Sequence, residues 1–129
     1  MSAHILIIED NEMSLALAEY LLRQSGYTTS SATDGDSGVR LALENQAHLI
    51  LCDLDLPVID GSQVVTALRA RGEWRRVPIL AFTAASMSDE SKRALTAEFD
   101  GCISKPIDPA SFSATVGHHL APELRASHA

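Results

Sequence analysis

Three short, unbroken apolar runs constrain this chain more than any other feature: Ile5 to Ile8, Leu49 to Cys52 and Ile79 to Phe82. Each has strand length, and none shows the apolar–polar alternation of a strand with one wet face. Runs of this kind fit strands covered on both sides, as in a parallel sheet between two layers of helices. Gly101 to Ser104 reads as a shorter strand of the same type. Tyr27 to Ala32, rich in Thr and Ser, reads as an edge strand.

Helical patterns fill the intervals. Leu17, Ala18, Leu21 and Leu22 form a stripe that ends at Gly26. Val39, Ala42 and Leu43 follow the turn-like Asp34-Gly35, and Val64, Val65 and Leu68 follow Asp60-Gly61, with Arg69 and Arg71 pointing away from that stripe. A fourth helix is expected over Ser88 to Phe99, and a fifth from near Pro109, carrying Phe112, Val116 and Leu120 on one face. Five strands alternating with five helices make an α/β fold with right-handed crossovers. At 129 residues the chain is about one domain. The small, polar residues from Ala121 onward are expected to fray.

Composition removes several function classes. A formal charge of -7 argues against nucleic-acid binding, which needs a basic face. No apolar run approaches the ~20 residues of a membrane span, and no signal peptide opens the chain, so the cytoplasm is the expected setting. Cys52 and Cys102 are far apart and lack metal-finger spacing, so each is expected to be a small buried core residue. His118 and His119 fall at the last helix's negative pole, where a positive charge is favoured, and Trp74 reads as a loop packing residue.

The polar residues that end the apolar runs carry the functional argument. The first strand ends in Glu9-Asp10, the third in Asp53, the fourth in Thr83 and the fifth in Lys105. Open parallel sheets bind ligands beyond the carboxyl ends of their strands. With strand order 2-1-3-4-5, these groups converge on one rim. Two like charges ~5 Å apart at an effective dielectric of ~20 repel by roughly 3 kcal/mol, and a hard divalent cation relieves that. A carboxylate, a cation, a hydroxyl and a lysine together suit phosphoryl transfer. Asp53, on a central strand between the acid pair and Lys105, is the expected nucleophile.

Four motifs resemble the response-regulator receiver domain of two-component signalling: Ile7-Ile8-Glu9-Asp10-Asn11, Leu51-Cys52-Asp53-Leu54-Asp55-Leu56-Pro57 through Gly61, Phe82-Thr83-Ala84 and Ile103-Ser104-Lys105-Pro106. The resemblance runs from Ile5 to about Leu120. It implies a flavodoxin-like, doubly wound (βα)5 domain over residues 1–121, with a short tail at 122–129. It further implies that Asp53 takes a phosphoryl group from a phosphohistidine on a sensor kinase or phosphotransfer protein and later loses it by autodephosphorylation. In this reading the domain is a signalling module rather than a turnover enzyme. Magnesium (manganese could substitute) is held by Asp10, Asp53 and the Asp55 backbone carbonyl, with Glu9 acting mainly through water. Thr83 and Lys105 bind phosphoryl oxygens, and the Lys105-Pro106 peptide is cis.

The resemblance also places switch and rate-setting positions at Thr83, Ala84, Ala85, Cys102 and Pro106. Asp55 and Ala85 sit where the family tunes dephosphorylation. Many members carry an aromatic three residues before the lysine; here it is Cys102, so the aromatic half of the usual switch is absent. The expected protein is a monomer or weak phosphorylation-dependent dimer with an unidentified downstream effector, and Met1 with no long linker favours a stand-alone chain. A haloacid-dehalogenase-like phosphatase using Asp53 and Asp55 is one rival, but there the acid pair follows the nucleophile and a cap domain would not fit this length. A flavodoxin would need a phosphate-cradling first loop where this chain has Glu9-Asp10-Asn11-Glu12. A non-phosphorylated interaction module is the third reading.

Overall fold

A computed structural model of the chain describes residues 3–44, 47–54, 56, 61–70, 77–84, 88, 90, 93, 99–120 and 122. Five parallel strands, β1 (His4–Ile8), β2 (Thr28–Ala32), β3 (Leu49–Asp53), β4 (Ile79–Ala84) and β5 (Gly101–Lys105), form one sheet in the order β2-β1-β3-β4-β5. The helices are α1 (Glu12–Gln24), α2 (Gly35–Glu44), α3 (Gly61–Arg69) and α4 (Phe112–His118). The helix expected over 88–99 falls mostly outside the described residues, as do Trp74 and nearly all of the C-terminal tail. Among the described residues no helix is long and apolar enough to cross a membrane.

The apolar runs behave as their pattern requires. Alternate residues of a strand point to opposite faces, and here both faces are covered. Ile5, Ile7, Leu49, Leu51, Leu80 and Phe82 pack with Ala18 and Leu22 of α1 and Phe112 and Val116 of α4. Leu6, Ile8, Ile50, Cys52 and Ile79 pack with Ala42 of α2 and Val64, Val65 and Leu68 of α3. Burying one such aliphatic side chain contributes ~1.5–3 kcal/mol, so the two layers together fix which side each helix occupies. The close approach of α2 to the sheet depends on Gly38, where a Cβ would lie 2.5 Å from Ile8 Cδ1.

Local signals set the helix ends. The Asn11 side chain accepts the Ser14 backbone N–H at 2.9 Å and so caps α1. Gly26, at φ 98°, turns the chain out of that helix into β2. Asp34 accepts from the Ser37 N–H at 2.8 Å and its hydroxyl at 3.1 Å, and these bonds hold its carboxyl below the usual range.

Several expectations fail at the C-terminal end. The last helix begins at Phe112 rather than near Pro109, because Asp108 folds residues 109–111 into a turn. Its side chain accepts from Ala110 N at 3.1 Å and Ser111 Oγ at 3.0 Å. Leu120 is buried but lies beyond the helix. The fifth strand is not of the doubly covered type, and Cys102 is exposed rather than buried. β5 is an edge strand, and of its apolar side chains Ile103 alone packs against the core. Cys52, on a central strand, is buried as expected. His119 also departs from the simple dipole argument. Its ring packs over Gly101, and burial, followed by the His118 charge, lowers its pKa.

At the amino end of the sheet polar groups are tied to one another. The His4 ring bonds Thr28 Oγ1 at 2.8 Å and Ser30 Oγ at 2.9 Å, and its backbone N–H donates to His48 Nδ1 at 2.9 Å. Asp100 Oδ2 accepts from Arg69 Nη2 at 2.6 Å and from Ile79 N at 2.8 Å. Arg69 Nη1 donates to Val77 O at 2.9 Å, which joins the end of α3 to the entries of β4 and β5.

Candidate functional site

The opposite end of the sheet collects the groups that the sequence marked. Glu9 and Asp10 follow β1 directly, Asp53 ends β3, Thr83 is the penultimate residue of β4 and Lys105 ends β5. Parallel register brings them level: Asp53 pairs with Phe82, Thr83 with Ser104 and Ala84 with Lys105. One carboxylate oxygen from each of Glu9, Asp10 and Asp53 lies within 4.8 Å of the others. Asp10 is exposed, whereas Glu9 and Asp53 are buried.

Lys105 bridges the two buried acids. Its Nζ donates to Asp53 Oδ2 at 3.1 Å and forms an ion pair with Glu9 Oε1. Glu9 is fully buried, and its other oxygen accepts the Asn11 backbone N–H at 3.3 Å. One ammonium does not compensate for this much negative charge. Burial first, and then Asp53 as hydrogen-bond partner and charge, push the Glu9 pKa up to about 7 against the opposing pull of Lys105 and Asn11. Burial alone would depress Lys105, but its bonds to Glu9 and Asp53 and their charges outweigh that and hold it above the usual lysine value.

Among the described residues the buried Thr83 hydroxyl has no hydrogen-bond partner. A buried hydroxyl normally finds one, and its absence costs about 1–3 kcal/mol. Three carboxylates gathered at one opening, with one acid pushed toward neutrality, form an all-oxygen donor set of the kind a hard divalent cation takes. The site therefore has the composition for a magnesium ion and, beside it, an anion that could accept from Thr83 and Lys105.

Glu9, Asp10, Asp53, Thr83 and Lys105 are thus brought to one rim, and the Lys105–Pro106 peptide is cis. Asp55 and Ala85 lie outside the described residues. Cys102, three residues before Lys105, is not part of this cluster. Two features escaped the sequence reading: the Glu9–Lys105 ion pair, and the placement of Lys105 Nζ 5.7 Å from the centroid of the Phe82 ring. Nothing in a Phe inside an apolar run distinguishes a ring beside a charge from ordinary core.

The family model for the response regulator receiver domain matches residues 5–117. The chain belongs to the response-regulator receiver family. It is 34% identical over 120 residues to the polar-differentiation response regulator DivK of Brucella anthropi, a match covering 93% of this chain and 98% of that protein. Among solved structures it resembles the chemotaxis response regulator CheY4 of Vibrio cholerae, with a TM-score of 0.86, 26% identity and coverage of 93% and 100% of the two chains. It also resembles the receiver domain of a sensor histidine kinase from Pseudomonas aeruginosa, with a TM-score of 0.82, 32% identity and coverage of 92% and 97%; that domain has a magnesium ion coordinated in its active-site cleft. The receiver fold is the flavodoxin-like arrangement expected from the resemblance, with the same strand order. As a receiver the chain is a signalling domain of two-component systems, whose members work with histidine kinases and effectors.

Proposed function

We propose that this receiver is phosphorylated on Asp53 by a phosphohistidine of a sensor kinase or histidine phosphotransfer protein in the cytoplasm. The observation that carries this reading is the position of Asp53: on a central strand end, beside Glu9 and Asp10, with Lys105 on its Oδ2. In the step itself an Asp53 carboxylate oxygen attacks phosphorus in line. The new O–P bond forms as the N–P bond breaks, and the donor imidazole leaves with the electron pair. A magnesium ion held by Asp10 and Asp53, with Glu9 through water and the Asp55 carbonyl completing the set, would supply positive charge to the phosphoryl oxygens; manganese could substitute.

The chain's own residues supply the rest. Lys105 shifts from its bond with Asp53 to a phosphoryl oxygen, remaining charged because Glu9 stays beside it. Thr83 gains an acceptor that its buried hydroxyl lacks among the described residues, so occupancy of the site would satisfy that group. This gives Thr83 a reason to move on phosphorylation, and Ala84, next along β4 and paired with Lys105, would carry that movement. Autodephosphorylation then resets the domain at a rate tuned by Asp55 and Ala85.

Incubation with acetyl phosphate and magnesium tests the reading. Intact-mass and peptide analysis should find one labile phosphoryl group, on Asp53, that is absent when the metal is chelated. Release of phosphate from a generic ester with repeated turnover would instead favour a phosphatase, and a chain that stays unmodified would favour a pure interaction module.

A further inference from the structure

Lys105 has a third neighbour besides its two carboxylates. Its ammonium stands over the Phe82 ring at 5.7 Å from the centroid, within the ~6 Å over which a cation is drawn to an aromatic face. Phe82 is buried and lies between its register partners Asp53 in β3 and Ile103 in β5. The Phe112 ring at the start of α4 stacks with it at 6.3 Å, with 19° between the planes. Any apolar side chain of similar volume would fill this part of the core. Only an aromatic one also offers the ammonium a face of negative potential.

We propose that Phe82 is the positioning residue for Lys105, holding the ammonium between Glu9 and Asp53 where an incoming phosphoryl oxygen meets it. The proposal rests on the phosphoacceptor reading of the same site and adds a residue to it. A lysine head on a flexible four-carbon stem is poorly fixed by charge alone, because carboxylates attract it from many directions. The attraction of Asp53 changes once that residue carries a phosphoryl group, whereas the ring of Phe82 stays where Phe112 and the core hold it. Phe82 does not touch the reacting atoms and acts only through Lys105.

The test uses the full chain with phenylalanine 82 replaced by para-fluoro-, trifluoro- and pentafluorophenylalanine. These analogues nearly keep the shape of the ring while draining negative potential from its face. Affinity for beryllofluoride in the presence of magnesium, measured by calorimetry, should weaken stepwise along the series to a total of about three- to tenfold, with Tm nearly constant. Phe82→Leu should lie at the weak end of that range. A flat series with a normally binding wild type overturns this proposal and leaves the phosphoacceptor reading intact. A wild type that takes neither beryllofluoride nor the phosphoryl group of acetyl phosphate overturns both.

Discussion

The two ends of the sheet contain similar chemistry in opposite conditions. At the amino end His4, His48, Thr28 and Ser30 bond to one another, and Asp100 is shared between Arg69 and a strand N–H. At the carboxyl end a buried carboxyl is pushed toward neutrality, one ammonium is divided between two acids, and a buried hydroxyl has no partner among the described residues. The first arrangement is complete without a ligand. The second would be completed by a cation and an anion, and that contrast marks it as the candidate binding site.

The contrast should break first at Asp53. Asp53→Asn is expected to abolish phosphorylation by acetyl phosphate while leaving the far-ultraviolet circular dichroism spectrum of the fold unchanged; label that persists at another residue would remove Asp53 from its role. Next in size is the pH dependence of stability. The folded pKa of Glu9, about 7, lies above its ordinary 4.5, so folding favours the protonated form. The resulting penalty is absent below about pH 4.5, grows as pH rises and is complete above about 7, reaching on the order of 3 kcal/mol. Without divalent cations, denaturant unfolding should therefore show stability falling from pH 5 to 8. Magnesium should stabilise more at pH 8 than at pH 5, and equal stabilisation at both would contradict the role given to Glu9.

Lys105→Ala should slow phosphorylation by acetyl phosphate between about 10- and 100-fold, the value of a charged hydrogen bond of ~1.5–3 kcal/mol. Stopped-flow or phosphate-release rates check this, and an unchanged rate would place Lys105 outside the phosphoryl site. The smallest effect is expected at the other end. Asp100→Ala removes the bonds to Arg69 and Ile79 and should lower stability by ~1 kcal/mol in chemical denaturation. Phosphorylation rate should not change, and a loss there would mean the two ends are coupled.

Much of this was legible in the sequence because it depends on strand pattern. Ile5 to Ile8, Leu49 to Cys52 and Ile79 to Phe82 announce doubly covered strands, and once these lie side by side the residues that follow them must share a rim. Legibility failed where one covered face had to be told from two. Gly101 to Ser104 is too short to show a period, so an exposed Cys102 on an edge strand looked like core. It failed again where contacts join distant residues through long side chains. The Glu9–Lys105 pair and the Arg69–Asp100 brace depend on rotamers that no local pattern encodes. The start of α4 was misplaced because Pro109 suits a turn built on Asp108 as well as a first helical position.

The unequal environments of the two thiols have a practical consequence. Cys52 and Cys102 occupy register-matched positions on either side of Ala81, yet one is sealed in the core and the other faces solvent. A maleimide dye or spin label offered to the folded chain should therefore attach at one place, on the strand that ends in Lys105. The protein carries its own single attachment point for a spectroscopic reporter, with no engineered cysteine needed.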